Sequence, residues 1–460
     1  MLRVSLPNAQ VKMPRSIVQL RSDANAIFNA GLRAVDAREA VLRHLRRSED
    51  GLVLCVGSIA KLPLVEFDRI SVVGAGKAAA PMAAAVEEVF RGVLPLQGIL
   101  SVKYGHTTPK PVAVQMFEAG HPTPDAAGVK AAQAIGRLLD GLGKRDLLIV
   151  VVSGGASALL PAPAVGVELE DKQTITEMLL RVGAEIDEIN AVRKHLSSLK
   201  GGQLARRAGE ATVVALILSD VIDDSLDVIG SGLTVPDLSC FSDALAVLSR
   251  YALMEAAPER VLRRLIAGEQ GQIAETPKKE MPPWVHNVVV GSNRLALEAA
   301  ERAALRLGYC TEILSSTMRG ESRELGRAHA KILRDMTRGG QAACVLFGGE
   351  TTVTVKGAGK GGRNQELALA ALIELDKVPG AVLLAAGTDG TDGPTDAAGA
   401  IVDGTSYERA LALGLDPTDF LTRNDAYPLL DATGDLLRVG PTGTNVMDIN
   451  ILLADGQSAG

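Results

Sequence analysis

The sequence predicts an α/β protein with a parallel sheet in its first domain and a mixed sheet in a second, smaller α/β domain. Three observations carry this. Short β-branched runs ("RISVVGAG", "GILSVKY", "DLLIVVVSGG", "ATVVALILSD") alternate with helical patterns, and such alternation means βα units with helices on both sheet faces. Apolar residues make up 47% of the chain and aromatics only 3%, with 48 glycines, which suits close helix–sheet packing rather than an aromatic-rich sandwich. At 460 residues the chain exceeds one core, so two domains are the default.

Residues 1–21 carry Arg3, Lys12, Arg15 and Arg21 with no acid and lack the continuous apolar core of a secretory signal, so they read as a loose tail. "SDANAIFNAGLRAVDAREAVLRHLRR" (22–47) reads as two helices, with Asp36 and Glu39 spaced as a capping box for the second. The first domain runs over 22–266. Residues 267–284, "AGEQGQIAETPKKEMPPW", are polar and proline-bearing and form the expected linker. The second domain, 285–460, opens on a strand, turn and helix in "HNVVVGSNRLALEAAERAALRLGY", and "ETTVTV" suggests its mixed sheet.

A net charge of −6 and a pI near 5.7 argue against nucleic acid or anionic lipid as partner. No apolar stretch reaches the ~18 residues that a membrane span needs. The four cysteines (55, 240, 310, 344) lie far apart, three of them in apolar runs, and read as reduced, buried thiols of a cytoplasmic protein.

Ligands of such sheets sit at the C-terminal strand ends, and four stretches there could carry chemistry. In "VVGAGKAAAPM" (72–82), Gly74 and Gly76 allow the backbone close to an anion at a helix N-terminus, though Gly-x-Gly before a helix is also ordinary packing. A dinucleotide site would call for an acid about 20 residues on. None occurs between Glu88 and Glu118, and the second strand carries Lys103 instead. Lys77 stands in the first helical turn, where a cation opposes the dipole unless an anion joins it. Ser153, Gly154 and Gly155 in "VVVSGGASALL" form a second small turn, suited to phosphate or carboxylate or simply to tight packing. "NAVRKHLSSLKGG" groups Arg193, Lys194, His195 and Lys200, either a solvated basic face or an anion pocket. Asp220 ends "LILSD", a usual place for a Mg²⁺ or hydroxyl contact and equally for a cap.

Further on, "GGETTVTVKGAGKGGRNQELALA" (348–370) interleaves glycines, Gly361 and Gly362 among them, with Lys356, Lys360 and Arg363 before Asn364 and a helix. Arg363 could grip a carboxylate or phosphate with its fork. "AAGTDGTDGPTDAAGA" presents Asp389, Asp392 and Asp396 in a spacing unlike an EF-hand. No Gly-Lys pair is followed by Ser or Thr, so there is no P-loop.

Taken in order, "GAGKAA", "GHPTPD" (120–125), "SGGASALL", "VRKHLSSLKGG", "GSGLTVPD" (230–237), "GGETTVTVKGAGKGGRNQE", "GTDGTDGPTDAAGA" and "GPTGTNVMDI" resemble the glycerate 2-kinases that carry a "multi-organism fragment rich in leucine" domain. The resemblance spans about residues 22–456. Leu233, Phe347 and Val439 stand where the family commonly has Pro, Ser and Thr.

The resemblance implies a Rossmann-like N-terminal domain, a smaller α/β C-terminal domain and an active site in the cleft between them. The implied reaction is phosphorylation of D-glycerate at its 2-hydroxyl with ATP and Mg²⁺. Lys77 and Arg363 match the family's active-site lysine and arginine. Within that reading Gly74, Gly76, Gly361, Gly362 and Asn364 would meet the nucleotide. Ser153, Gly154, Gly155, Arg193 and Asp389 would meet the acceptor, and Asp220 or Asp389 the metal. The rival is an NAD(P)H-dependent hydroxypyruvate reductase, a name that family members also bear. No nucleic acid or membrane partner is expected, and a homodimer stays open.

Overall fold

Strands that are apolar on both faces must be covered on both sides, and the helices of the first half supply that cover. The computed structural model describes residues 15–455, which divide into two compact units. One comprises Leu32–Ala296 and Thr442–Val446. It opens with a small antiparallel sheet of β1 (Leu45–Arg47), β2 (Val53–Val56) and β3 (Ala60–Pro63). Its main sheet contains β4 (Arg69–Ala75), β5 (Leu96–Lys103), β6 (Val114–Ala119), β7 (Asp146–Val152), β8 (Thr212–Leu218) and β9 (Val285–Gly291). All are parallel, in the order β6-β5-β4-β7-β8-β9.

The chain therefore winds outward from β4 in one direction and then from β7 in the other. The crevice at that reversal, outside the strand ends, is where open α/β sheets bind ligands. Every residue of β7 is buried. Val73, Val150, Ala215 and Ile217 pack with Ile135 and Leu139 of the helix Ala126–Asp140 in one core. Helices Leu169–Arg181, Ile186–His195, Phe241–Arg250 and Glu259–Glu269 bury a second core of their own around Leu179, Val192 and Phe241.

β9 corrects the expected domain boundary. Its run "HNVVVGS" reads locally like the first strand of a new domain, yet Val285 to Val289 pair with Val213 to Ile217 of β8. A free edge of β8 would leave a row of backbone groups without partners, and β9 fills it across a long intervening helical segment. Residues 267–284 are thus a connection inside this unit, and the chain leaves it between Ala296 and Leu297.

The other unit comprises the described residues 15–31, 297–441 and 447–455. Its sheet runs β10-β11-β15-β12-β13-β14, built from Cys310–Met318, Ala342–Gly349, Ala381–Gly387, Gly399–Asp403, Leu436–Leu437 and Asp448–Asp455, numbered β10 to β15 in chain order. β10 and β11 are parallel and the remaining pairs antiparallel. The mixed character does not come from "ETTVTV": β11 ends at Gly349, and residues 350–355 form no strand. It comes from β15, which returns from the end of the chain to lie between β11 and β12.

The expected loose tail also needs correction where it is described. A helix runs from Ile17 to Ala34, with Leu20, Ala24, Ile27 and Phe28 buried. Arg15 lies over the Tyr309 ring at 4.3 Å, and the Tyr309 hydroxyl donates to Asp23 at 2.6 Å. Residues 1–14 of that segment lie outside the described residues. All four cysteines are free, but only Cys344 is buried and Cys310 is exposed. Among the described residues no helix is long and apolar enough to cross a membrane.

Candidate active site

At the reversal point β4 and β7 end side by side, Ala75 level with Val152, and their following turns lock together. The Lys77 amide donates to the Gly154 carbonyl at 2.9 Å, and the Ala78 amide donates to the Ser153 hydroxyl at 3.0 Å. The first two donors of the turn into the helix Ala79–Phe90 are therefore spent on protein. So is the Ser153 acceptor, which was expected to face a ligand. Ser153 is a cap for its neighbour first.

The glycines of the motif divide by role. Gly74 lies within β4, where a Cβ would fall 2.0 Å from the Val151 carbonyl oxygen, so its lack of a side chain serves strand packing rather than a ligand. Gly76 has φ +141°, and a Cβ there would lie 2.1 Å from the Ser153 hydroxyl oxygen and 2.7 Å from the Ser153 carbonyl oxygen. Backbone strain and overpacking both oppose an alanine there. Gly76→Ala is expected to lower unfolding free energy by at least ~2 kcal/mol, read from urea denaturation. An unchanged midpoint would mean that the two turns are not locked as described.

What this arrangement leaves unspent is the Lys77 side chain. It is half-buried, lies not in the first helical turn as expected but in the turn just ahead of the N-cap Ala78, and forms no ion pair among the described residues. Around it stand groups that the sequence did not single out. His106 Nδ1 contacts the Lys77 carbonyl at 3.1 Å. His121 packs on Gly155, whose φ of +84° and absent Cβ make room for the imidazole. Burial, with the charges of Lys77 and Lys103, pushes the His121 pKa down to about 4, so its ring is a neutral donor–acceptor at neutral pH. Asp220 follows β8, and its carboxylate lies where a Cβ on Gly154 would come within 2.3 Å of it.

The basic run at 193–200 splits in two. Lys194 is paired with Asp237 at 3.3 Å and Asp227 at 3.6 Å. His195 contacts Glu275 at 3.1 Å and the Ala191 carbonyl at 2.7 Å. These two are structural. Arg193 and Lys200 instead line a cavity beside Ser157.

In the other unit Arg363 is already gripped. Its Nε and Nη2 hold Asp448 at 2.6 and 2.8 Å, and Nη1 meets Glu350 at 2.8 Å. The free fork that the sequence suggested is thus closed by Glu350, 13 residues back within the same stretch, and by Asp448, 85 residues on, a separation that no local motif reveals. Burial lowers and Asp448 raises the Arg363 pKa, with a net rise.

Gly362 caps the helix Arg363–Glu374, and a Cβ there would strike the Asp392 carboxyl carbon at 2.2 Å. Asp392 in turn accepts from the Asn364 and Gln365 amides at 3.2 and 2.8 Å. The Asn364 side chain, expected at the nucleotide, bonds Asp392 as well. Gly361 lies against Ala426, 3.4 Å from where its Cβ would be. Burial raises Asp392 to about 7 against the pull of those amides. Asp389 is half-buried, its Oδ1 accepting from the Thr391 amide and hydroxyl at 3.1 and 3.2 Å. Among the described residues no three His, Cys, Asp or Glu side chains are grouped to hold a metal by themselves.

A parallel sheet wound outward from a central crevice, with a lysine that forms no ion pair among the described residues in the glycine turn at that crevice, defines a Rossmann-type α/β protein. Comparison with known proteins carries this further. Residues 23–266 match a domain of unknown function, DUF4147, and residues 343–448 match the MOFRL family. The chain is 44% identical over 394 residues to D-glycerate 2-kinase of Thermotoga maritima, covering 85% of this chain and 92% of that one. A protein of Agrobacterium vitis named for hydroxypyruvate reductase is 39% identical, with 97% and 98% covered. The crystal structure of a Thermotoga maritima glycerate kinase superposes with a TM-score of 0.85 at 41% identity, covering 95% of this chain and all of that one. The chain belongs to the glycerate 2-kinase family with a MOFRL domain.

Proposed function

We propose that the protein transfers the terminal phosphoryl group of ATP to the 2-hydroxyl of D-glycerate, giving 2-phosphoglycerate and ADP. Kinase relatives at about 40% identity over most of the chain support the activity. The observation that carries the site assignment is Lys77, a cation without an acidic partner in the glycine turn at the sheet's reversal point.

Phosphoryl transfer asks the protein mainly for in-line positioning and for positive charge on the oxygens of the moving group. The glycerate 2-hydroxyl oxygen forms the new bond to phosphorus as the bond to the ADP oxygen breaks, and the hydroxyl proton is released. We assign charge neutralisation to Lys77 and Arg363. To reach a phosphate, Arg363 need give up only Glu350, the more exposed of its two partners, and such an exposed pair is worth about 0–1 kcal/mol. Asp448 would stay in its fork and hold it in place. The Gly154–Gly155 backbone and Asp389 are assigned to the acceptor.

Mg²⁺ takes one or two carboxylates and fills its remaining positions with phosphate oxygens and water. Asp220, placed beside the Gly154 turn, fits that demand, as does Asp389, whose Oδ2 carries no hydrogen bond from the described residues. When bound, the ion supplies positive charge to the phosphate oxygens.

Glycerate-dependent ADP release in the presence of ATP and Mg²⁺ is the expected result, with phosphorus NMR placing the new phosphate on the 2-oxygen. ADP release indifferent to glycerate would overturn the proposal. The reductase reading has the Agrobacterium name and the Gly-x-Gly turn in its favour. Against it, β5 ends in Lys103, where a nicotinamide dinucleotide site would present an acid to the ribose. Loss of NADH or NADPH absorbance on adding hydroxypyruvate would restore it.

A further inference from the structure

Behind Ser157 lies a cavity of about 450 Å³ reached by the side chains of Lys172, Arg193 and Lys200. Both lysines are deeply buried, 6% and 1% exposed. Lys172 Nζ donates to the Leu196 carbonyl at 2.9 Å, and Lys200 Nζ to the Ser157 carbonyl and hydroxyl at 2.9 and 3.1 Å. An ammonium has three donors, so both have donors left over. Arg193 forms no hydrogen bond or ion pair with any described residue, and burial alone depresses its pKa. The single carboxylate on the rim, Glu177, is taken by Arg181 at 2.7 Å.

Three converging cations without an acid are costly to bury. Burial, reinforced by Arg193 and Arg264, pushes Lys172 down to about 7, and burial with Lys172 and Arg193 holds Lys200 well below its ordinary range. An anion entering the cavity would favour the charged forms of both lysines.

We propose that this cavity binds a small organic polyanion carrying both a carboxylate and a phosphoryl group, a phosphorylated hydroxy acid. Such a ligand brings about three negative charges to three cations. Its planar carboxylate suits the Arg193 fork, and its phosphoryl oxygens suit the point charges of the lysines. The volume lies within the usual range for a small-molecule pocket. Naming the phosphorylated hydroxy acid rests on the kinase reading above; the anion site itself does not.

The test is calorimetric titration with 2-phosphoglycerate, inorganic phosphate and D-glycerate. A Lys77→Ala background removes the cation of the glycine turn, so that remaining binding reports on the cavity. There 2-phosphoglycerate should still bind, and more tightly than inorganic phosphate or glycerate. Adding Lys200→Met or Lys172→Met should weaken it at least ~30-fold through lost charge-assisted hydrogen bonds. Arg193→Gln carries the same comparison if either fails to fold. Loss of binding in Lys77→Ala alone, unchanged binding in the double variants, or 2-phosphoglycerate no tighter than phosphate would each overturn the proposal. Lys200-dependent binding without glycerate-dependent ADP release would remove the kinase reading and leave the anion site standing.

Discussion

Lys77→Met is expected to lower kcat/KM for glycerate at least ~100-fold, the scale of removing one preorganised group that stabilises transition-state charge. Its melting temperature should stay level or rise slightly. The second half of this expectation is what makes the first half informative. A cation beside the N-terminal end of a helix, as Lys77 is just ahead of the N-cap Ala78, opposes the dipole by up to about 0.3–1 kcal/mol, and no ion pair among the described residues offsets that. The local backbone is held by amides, through Gly154 and Ser153, and not by the ammonium. Methionine keeps the unbranched apolar stem, so the helix start has no reason to shift. A coupled ADP-release assay and thermal melting by circular dichroism read the two halves. A fall in kcat at constant KM would place the ammonium on charge that develops only in the transition state. A rise in KM alone would place it on the bound nucleotide. Normal turnover would remove Lys77 from the chemistry.

Lys77 was legible in the sequence because its signal is local: strand, glycine turn, helix and one misplaced cation lie within "VVGAGKAAAPM". For the same reason β4, β7 and β8 could be read from their apolar runs. Most of the failures are non-local. Nothing in "HNVVVGS" says that it will finish the sheet begun at residue 69, because that depends on an open edge of β8. β15 likewise enters the second sheet between strands that precede it by about a hundred residues and by sixty. Gly76 was recognised as a position that must be glycine, but its space is taken by the Ser153 hydroxyl and not by an anion. The run at 193–200 looks uniformly basic, and only the fold shows that Lys194 and His195 are matched by acids while Arg193 and Lys200 are not. Lys172 was not singled out, although its spacing from Ile175 and Leu179 in "LEDKQTITEMLLR" puts it on the buried face of that helix.

Arg363→Ala is expected to abolish activity and also to destabilise its unit by about 3–5 kcal/mol, the scale of removing one partner of a buried ion pair. Sequence alone predicts that this substitution, like one at Lys77, leaves the fold intact. The structure reverses that for the arginine. Asp448 is 1% exposed at its side chain and takes two short hydrogen bonds from Arg363 Nε and Nη2. Removing the guanidinium takes both of those bonds from a buried carboxylate at the start of β15, in a sheet position fixed on both sides by β11 and β12. Lost turnover in Arg363→Ala therefore says nothing by itself about catalysis. Arg363→Lys separates the two roles, since it keeps the charge opposite Asp448 but gives up the planar two-bond grip. If Arg363 acts on the phosphoryl group, the lysine variant should recover more than half of the lost stability in urea denaturation while turnover stays at least ~100-fold down. Turnover that returns in step with stability would assign Arg363 to holding Asp448, and would leave Lys77 as the cation that serves the transfer.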